Sequence, residues 1–208
     1  MPSTCPKCHS VLEEDEICCA LVSYTWRCTN CFKLSTGFVV PYGRCFLCGG
    51  ELEIIRDRDF GDGMRFRAVR DAMMFELSSV HFFSQAREGA TTAEQCIVLE
   101  HLFEEGLDHI HDLEEKYHAQ LDRETVEAAS DPESLLYDWP FRGIGVKENS
   151  GIAELYRVAL ETERRERDHL VRLARQFAAG LEHELCRELA AEEDEHIAML
   201  ETELAQFA

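Results

Sequence analysis

The sequence predicts a mainly α-helical protein, a four-helix bundle preceded by a small cysteine-rich β module. Eight of the ten cysteines lie in the first 50 residues, among glycines and short β-like runs. From residue 67 onward, apolar residues recur with the 3.6-residue period of amphipathic helices. We therefore expect a metal-binding module over 1–55, a polar, glycine-containing linker over 56–66 and the bundle over 67–208.

Charge and composition limit the expected partners and cellular location of the protein. The formal charge is −20 at pH 7, which excludes nucleic acid and anionic membranes as expected partners. The opening Met1–Cys5 does not resemble a signal peptide, and no apolar run approaches the ~20 residues of a membrane span. We expect a cytoplasmic protein, in which cysteine pairs bind metal rather than form disulfides.

The later cysteines form two Cys-x-x-Cys pairs. Cys28 and Cys31 are followed after thirteen residues by Cys45 and Cys48. Two such pairs present four thiolates to one tetrahedral ion. Zinc in this site would be structural, whereas iron would be a one-electron carrier, and the spacing does not select between them.

The first 20 residues hold four more cysteines, Cys5, Cys8, Cys18 and Cys19. They are candidates for a second zinc site, with His9 as a spare ligand. Alternatively, Cys5 and Cys8 share a metal ion with one of the later Cys-x-x-Cys pairs. A further alternative is that Cys18 or Cys19 is a small buried residue and not a ligand. Two further cysteines lie alone within predicted helices and are expected in the core: Cys96 and Cys186.

Four long helices follow from the apolar periodicity. They are predicted at about 67–89, 92–121, 150–179 and 181–206. Thr92 and Ser150 are candidate N-caps, and Gly89 and Gly180 are candidate stops. The connection 122–148 contains prolines and glycines and is long. A long crossover between the second and third helices fits a ferritin-like arrangement better than a simple up-down bundle.

The most informative motif is Glu193-Asp194-Glu195-His196 in the last helix. Glu193 and His196 lie three residues apart, so they share one face of the helix. That face is otherwise a stripe of leucines and is therefore expected to be buried. A buried charge is costly unless it is paired or bound to a metal.

The other helices also place ionisable groups on their apolar faces. Glu76 lies in the first helix, His109 in the second, and Glu163 and Glu166 in the third. Taken singly, each of these glutamates could lie on a solvated helix face, and the histidine could be an ordinary core residue. If all of them lie in one core, the unpaired carboxylates would repel one another. Two iron or manganese ions would neutralise their charge, because such ions bind carboxylate oxygens and imidazole nitrogens. The joint pattern therefore favours a two-metal site.

These motifs resemble the rubrerythrin branch of the ferritin-like di-iron superfamily. The segment from Trp26 to Gly49, which holds the two Cys-x-x-Cys pairs, resembles the rubredoxin module, or a zinc ribbon. The resemblance implies two Fe (or Mn/Fe) ions in the bundle and one Fe or Zn in the four-cysteine site. It implies reduction of peroxide or dioxygen with electrons from a donor protein, in a homodimer. The implied ligands, of which the glutamates also serve catalysis, are Glu76, His109, Glu163, Glu166, Glu193 and His196.

The second helix departs from the family pattern. Gly106 stands where a glutamate should precede His109 by three residues. Glu105 lies roughly 40° around the helix and is a candidate ligand if it rotates inward. Alternatively, one bridging carboxylate is lost, or the pair shifts to Asp108 and His111, which lie off the apolar stripe.

Two aromatic positions depart as well. Phe83 and Leu170 stand where the family carries tyrosines seven residues after the helix 1 and helix 3 glutamates. An alternative function is therefore a non-catalytic metal-binding scaffold, with structural zinc and a degenerate bundle site.

Overall fold

The computed structural model divides into two compact units, Met1–Arg58 and Asp59–Ala208. The protein is mainly helical, with a small antiparallel β portion near the N-terminus, as the sequence predicts. The residues that the structure describes are 3–4, 11–12, 24–37, 44–55, 60–121, 140–147 and 150–207.

The described residues of the N-terminal unit form two small antiparallel sheets. Its strands are β1 (Ser3–Thr4), β2 (Val11–Leu12), β3 (Tyr24–Cys28), β4 (Leu34–Gly37) and β5 (Leu52–Ile55). Strand β1 pairs with β2, and β3 lies between β4 and β5. Trp26 at the middle of β3 is buried and lies opposite Ser35 and Ile54. Because β3 ends at Cys28, the first cysteine of the Cys28–Cys31 pair lies at the end of the central strand.

The helical unit contains the four predicted helices. They are α1 (Arg67–Glu88), α2 (Ala93–Tyr117), α3 (Ile152–Ala174) and α4 (Leu181–Ala205). None of these helices combines the length and the apolarity that crossing a membrane requires.

The helix ends agree with the sequence at two positions and differ at two. Thr92 forms a capping box with Gln95, and Gly89 ends α1. Ser150 is not the cap of α3, because Gly151 takes that position and the Ser150 hydroxyl accepts a hydrogen bond from the backbone of Lys147. Gly180 does not end α3, which already stops at Ala174, but directly precedes α4 with a φ of 155°.

Hydrogen bonds between helix starts define the direction of the helices. The Gln95 side chain at the start of α2 donates to the carbonyl of Ser150, just before α3, at 2.7 Å. The Glu182 carboxylate at the start of α4 accepts from the backbone N–H of Ala68 in α1 at 3.1 Å. Helices α2 and α3 therefore begin at the same end of the bundle. The other end of α2 lies about 37 Å away, the length of its 25 residues.

Part of the predicted linker packs on the bundle. Phe60 is buried and makes edge contacts with Phe66 and Tyr117. A short 3₁₀ helix follows at Gly63–Arg65. A Cβ at Gly63 would lie 2.0 Å from the carbonyl oxygen of Tyr117, so only glycine fits there. The helical unit thus begins before Arg67, and residues 60–66 belong to it.

Candidate metal centres

The four cysteines of the two Cys-x-x-Cys pairs converge in the N-terminal unit. The Sγ atoms of Cys28, Cys31, Cys45 and Cys48 all lie within 4.8 Å of one another. The Sγ atoms of Cys28 and Cys48 are 3.5 Å apart, and those of Cys31 and Cys45 are 3.6 Å apart. A tetrahedral ion with metal–sulfur bonds of about 2.3 Å requires sulfur atoms about 3.8 Å apart. The cluster therefore fits one tetrahedral ion, as the spacing predicts.

Each Cys-x-x-Cys pair closes into the same kind of turn. The N–H of Phe32 donates to the Cys28 carbonyl at 3.0 Å, and the N–H of Gly49 donates to the Cys45 carbonyl at 2.8 Å. Phe32 and Gly49 both have a φ of 72°, in the left-handed region that favours glycine. The first turn therefore carries backbone strain at Phe32, which the sequence does not relieve with a glycine.

Hydrogen bonds to sulfur favour the thiolate form in part of the cluster. The backbone N–H of Gly50 and the side chain of Asn30 lower the pKa of Cys48 to about 6. Burial raises the pKa of Cys31 instead. A Cβ at Gly50 would lie 2.6 Å from the Cys28 Sγ, so glycine is needed for this backbone to approach the sulfurs. A cation would stabilise all four thiolates together.

In the helical unit, four glutamates from α1, α3 and α4 meet inside the bundle. Glu76, Glu163, Glu166 and Glu193 are only 3%, 8%, 2% and 4% exposed. With His196, their carboxylates form two candidate ligand groups. Within each group, the ligand atoms lie within 4.8 Å of one another. One group is Glu163, Glu193 and His196, and the other is Glu76, Glu166 and Glu193. Glu193 belongs to both groups, so it is placed to bridge two ions.

Two histidines face these carboxylates. The Nδ1 atom of His196 lies 3.3 Å from Glu193 and 3.4 Å from Glu163. The Nδ1 atom of His109 lies 3.0 Å from Glu76. The two imidazole rings stack at a centroid distance of 3.9 Å, only 3° from parallel. Each histidine therefore presents the same ring nitrogen toward the carboxylates, one from each half of the bundle.

Several of the buried carboxylate oxygens lack hydrogen bonds within the described part of the chain. They are both oxygens of Glu166 and Oε2 of Glu163. Among the described residues, the nearest cationic group to that Glu163 oxygen is Nδ1 of His196, in an ion-pair contact at 3.4 Å. Buried polar atoms are normally satisfied, so an orphaned carboxylate calls for a cation or a proton.

Burial and mutual repulsion shift the pKa values of the clustered glutamates. Burial, then Glu193 and Glu76, raise the pKa of Glu166 well above its usual range. Burial also raises the pKa of Glu193, although His196 opposes it. For Glu163, burial is outweighed by His196 and Glu193, so its pKa falls to about 2. Crowding inside the bundle thus shifts the pKa values of these carboxyls in opposite directions: those of Glu166 and Glu193 rise, and that of Glu163 falls.

Burial would lower the pKa of His196, but Glu193 and Glu163 raise it well above its usual range. Four ionised carboxylates carry four negative charges, which two divalent cations would balance. Carboxylate oxygens and imidazole nitrogens suit iron and manganese. The described residues therefore fit two such ions.

Glu105 is not brought into either group. It is half-exposed, and its carboxylate lies 3.3 Å from Nε2 of His101 on its own helix. The shifted pair is not used either, because Asp108 and His111 are exposed and His111 lies near Glu115. Of the three alternatives for α2, the arrangement corresponds to the loss of one carboxylate.

Gly106 allows α1 and α2 to pack closely at the site. A Cβ at this position would lie 2.8 Å from Cγ2 of Val80 and 3.9 Å from Oε2 of Glu76. Real Cβ atoms essentially never come as close as 2.8 Å, so Val80 occupies the space of the missing side chain. A glutamate at position 106 would point toward Glu76 only if Val80 were smaller.

We expect the double variant Gly106→Glu/Val80→Ala to bind metal at least about tenfold more tightly than wild type. The added carboxylate supplies the ligand that α2 lacks, and the smaller residue removes the clash. Competition with a metal chelator measures the affinity. Gly106→Glu alone should lose thermal stability because of overpacking, and Val80→Ala alone is the matched control. An affinity equal to that of Val80→Ala would contradict the expectation.

The remaining cysteine predictions have mixed outcomes. Cys186 is buried, as predicted, but Cys96 is exposed, so the prediction that it lies in the core is wrong. The reason is its helix face: Val98 and Leu102 turn toward the core, and position 96 lies on the opposite side. The candidate ligands of the second zinc site all lie outside the described residues: Cys5, Cys8, His9, Cys18 and Cys19.

Sequence reasoning missed three side chains near the site. Asp71 is buried and lies 2.9 Å from Nε2 of His169. Tyr156 lines a cavity that reaches Glu163 and His196. The signals were available, because His169 follows Glu166 by three residues and Tyr156 precedes Glu163 by seven, both on the same helix face.

No family model, curated protein or solved structure matches the chain. Functional interpretation therefore depends on the geometry of the two candidate centres.

Proposed function

We propose that the chain is a non-haem di-iron oxidoreductase of the rubrerythrin type, built on a ferritin-like bundle, which reduces peroxide or dioxygen. The observation that carries the proposal is the meeting of four buried glutamates with two histidines that face them. Parallel directions of α2 and α3 also support a bundle with a long crossover.

Glu163, Glu193 and His196 would hold one ion, and Glu76, Glu166 and His109 would hold the other with Glu193 between them. Iron, or manganese and iron, would supply redox chemistry when bound. Reduction of one peroxide consumes two electrons and two protons and yields two waters. The chain provides a water-poor setting for these ligands, because Glu76, Glu166 and Glu193 are only 3%, 2% and 4% exposed.

The four-cysteine cluster would supply the electrons. Iron held by four thiolates is a one-electron carrier, and hydrogen bonds to the sulfurs tune its potential. Here Asn30 gives such bonds, from its backbone N–H to Cys28 and from its side chain to Cys48. An electron-donor protein would re-reduce this site, and we expect the working protein to be a homodimer.

A specific observation favours a second function. Phe83 and Leu170 are buried apolar residues at the positions where the family carries tyrosines, and Gly106 removes an α2 ligand. Zinc in the four-cysteine site and a degenerate bundle would make the chain a non-catalytic metal-binding scaffold.

Metal analysis together with a visible spectrum separates the two functions. Protein purified without chelator is expected to hold two iron or manganese ions per chain beyond those of the cysteine-rich module, with a red chromophore that bleaches on reduction. Cys48→Ser should abolish the chromophore and leave the ions of the bundle in place, because Cys48 lies in the other unit. Zinc alone, with an empty bundle, would establish the scaffold instead.

A further inference from the structure

Two cavities lined by described residues reach the candidate bundle centre. The first, here the Phe83 cavity, has a volume of about 50 Å³, and the second, the Lys116 cavity, about 40 Å³. Glu76, His109 and His196 line both of them. A small molecule could therefore approach the same carboxylates by either of two routes, whose other walls differ.

The Phe83 cavity has apolar inner walls. Phe83, Leu102, Ala159 and Leu200 line it, and all four are buried. His101, Glu105 and Glu203 line it as well, but His101 pairs with Glu105 along its own helix at 3.3 Å and not with a residue of another helix. Met199 also lines it and is 50% exposed, so the cavity extends to the surface. Its volume holds one or two molecules of the size of water, which occupies about 30 Å³. Such walls favour a small neutral solute over an ion.

The Lys116 cavity is crossed by charges at its outer end. The Lys116 ammonium lies 2.8 Å from Asp112 and 3.7 Å from Glu192, and all three residues line the cavity. These ion pairs hold the side chains across the opening. A neutral molecule entering here would have to separate or desolvate charged groups, which is unfavourable.

Ala159 is the small residue that α3 contributes to the wall of the Phe83 cavity beside the candidate ligands, as Ser79 does from α1 and Gly106 from α2. It lies four residues before Glu163, so its methyl group is on the same face of α3, one turn away. The alanine leaves space that any longer aliphatic side chain would fill. No equivalent small residue of the described α4 lines this cavity, where Met199 and Leu200 stand instead.

We propose that the Phe83 cavity admits a small neutral oxidant to the bundle centre, and that Ala159 limits the size of the molecule admitted. The proposal rests on the proposed function for the identity of the oxidant, but the route itself is a property of the protein without metal. Hydrogen peroxide and dioxygen fit the cavity, whereas organic hydroperoxides with bulky groups do not.

Xenon tests the route without metal, because xenon binds apolar cavities. In crystals of the metal-free protein under xenon pressure, we expect density in the Phe83 cavity and none in the Lys116 cavity. Ala159→Leu should abolish that density, and Ala72→Leu, which fills the Lys116 cavity instead, should leave it in place. Xenon in the Lys116 cavity, or in neither cavity, would overturn the proposal. Leu200→Phe fills the same space from α4 and replaces Ala159→Leu if that variant does not fold.

Nitric oxide tests access to the metal-loaded protein, with ferrous ions as the spectroscopic reporter. Ala159→Leu is expected to slow nitric oxide binding at least tenfold, and Ala72→Leu less than twofold. Ala159→Gly should raise the rate with tert-butyl hydroperoxide relative to hydrogen peroxide. The proposal fails if Ala72→Leu is the slower variant. If wild-type protein binds no iron or manganese yet takes up xenon in the Phe83 cavity, the proposed function fails and the route does not.

Discussion

Replacing Glu193 with glutamine is expected to reduce the bundle to at most one ion and to lower peroxide-dependent turnover about 100-fold or more. Glu193 is the residue shared by both ligand groups. Its amide replacement is nearly isosteric but carries no charge and cannot bridge two cations. Loss of residues that merely support metal ligands typically costs 10–100-fold, so loss of a bridging ligand should cost at least as much.

Metal analysis after dialysis measures this loss, with circular dichroism to show that the bundle is intact. Glu201→Gln is the matched control, because Glu201 lies on the same helix, is exposed and contacts Arg164 at the surface. The control should retain both ions and full turnover. Two bound ions in Glu193→Gln would remove Glu193 from the bridging role.

Raising the pH is expected to destabilise the metal-free protein, by about 3 °C or more in Tm between pH 5 and pH 8.5. The folded state raises the pKa of Glu166 and Glu193 above their unfolded values, so it holds protons that the unfolded chain releases. Their contribution to stability is complete below the ordinary glutamate pKa and is lost as pH rises through the folded values. His196, whose pKa is also raised, adds to the loss above pH 6.5.

Glu163 acts in the opposite direction at the acid end. Its pKa is lowered to about 2, so its contribution is present above the ordinary glutamate pKa and is lost only as pH falls toward that value. It therefore leaves the slope between pH 5 and pH 8.5 unchanged.

Metal binding should flatten or reverse this slope, because the ions compete with protons for these carboxylates and bind more tightly as the ligands deprotonate. Thermal unfolding with and without chelator measures both slopes. Glu166→Gln should flatten the metal-free slope, whereas Glu161→Gln, an exposed position on the same helix, should not. A Tm of the metal-free protein that rises steadily from pH 5 to pH 8.5 would contradict the raised pKa values of Glu166 and Glu193.

Much of the helical unit could be predicted from apolar periodicity. Helices α1 and α4 begin at the predicted residues and end within one residue of prediction, and α2 and α3 begin within two residues. The later ends of α2 and α3 fall short, at Tyr117 and Ala174, because periodicity does not mark where backbone hydrogen bonding stops. The cysteine spacing was equally informative, since a Cys-x-x-Cys turn brings its own two thiolates together.

Local spacing determined which side chains share a helix face, and so it identified Glu76, Glu163, Glu166, Glu193 and His196 as candidates. The packing of one helix on another decided which side chains of the other helices contact those faces. Val80 fills the space above Gly106, so α2 contributes His109 without a second carboxylate. Glu105 pairs with His101 and lines the Phe83 cavity but belongs to neither ligand group, and two cavities with different walls open onto the same carboxylates. These outcomes depend on contacts between residues far apart in the chain, which the 3.6-residue period of a single helix does not encode.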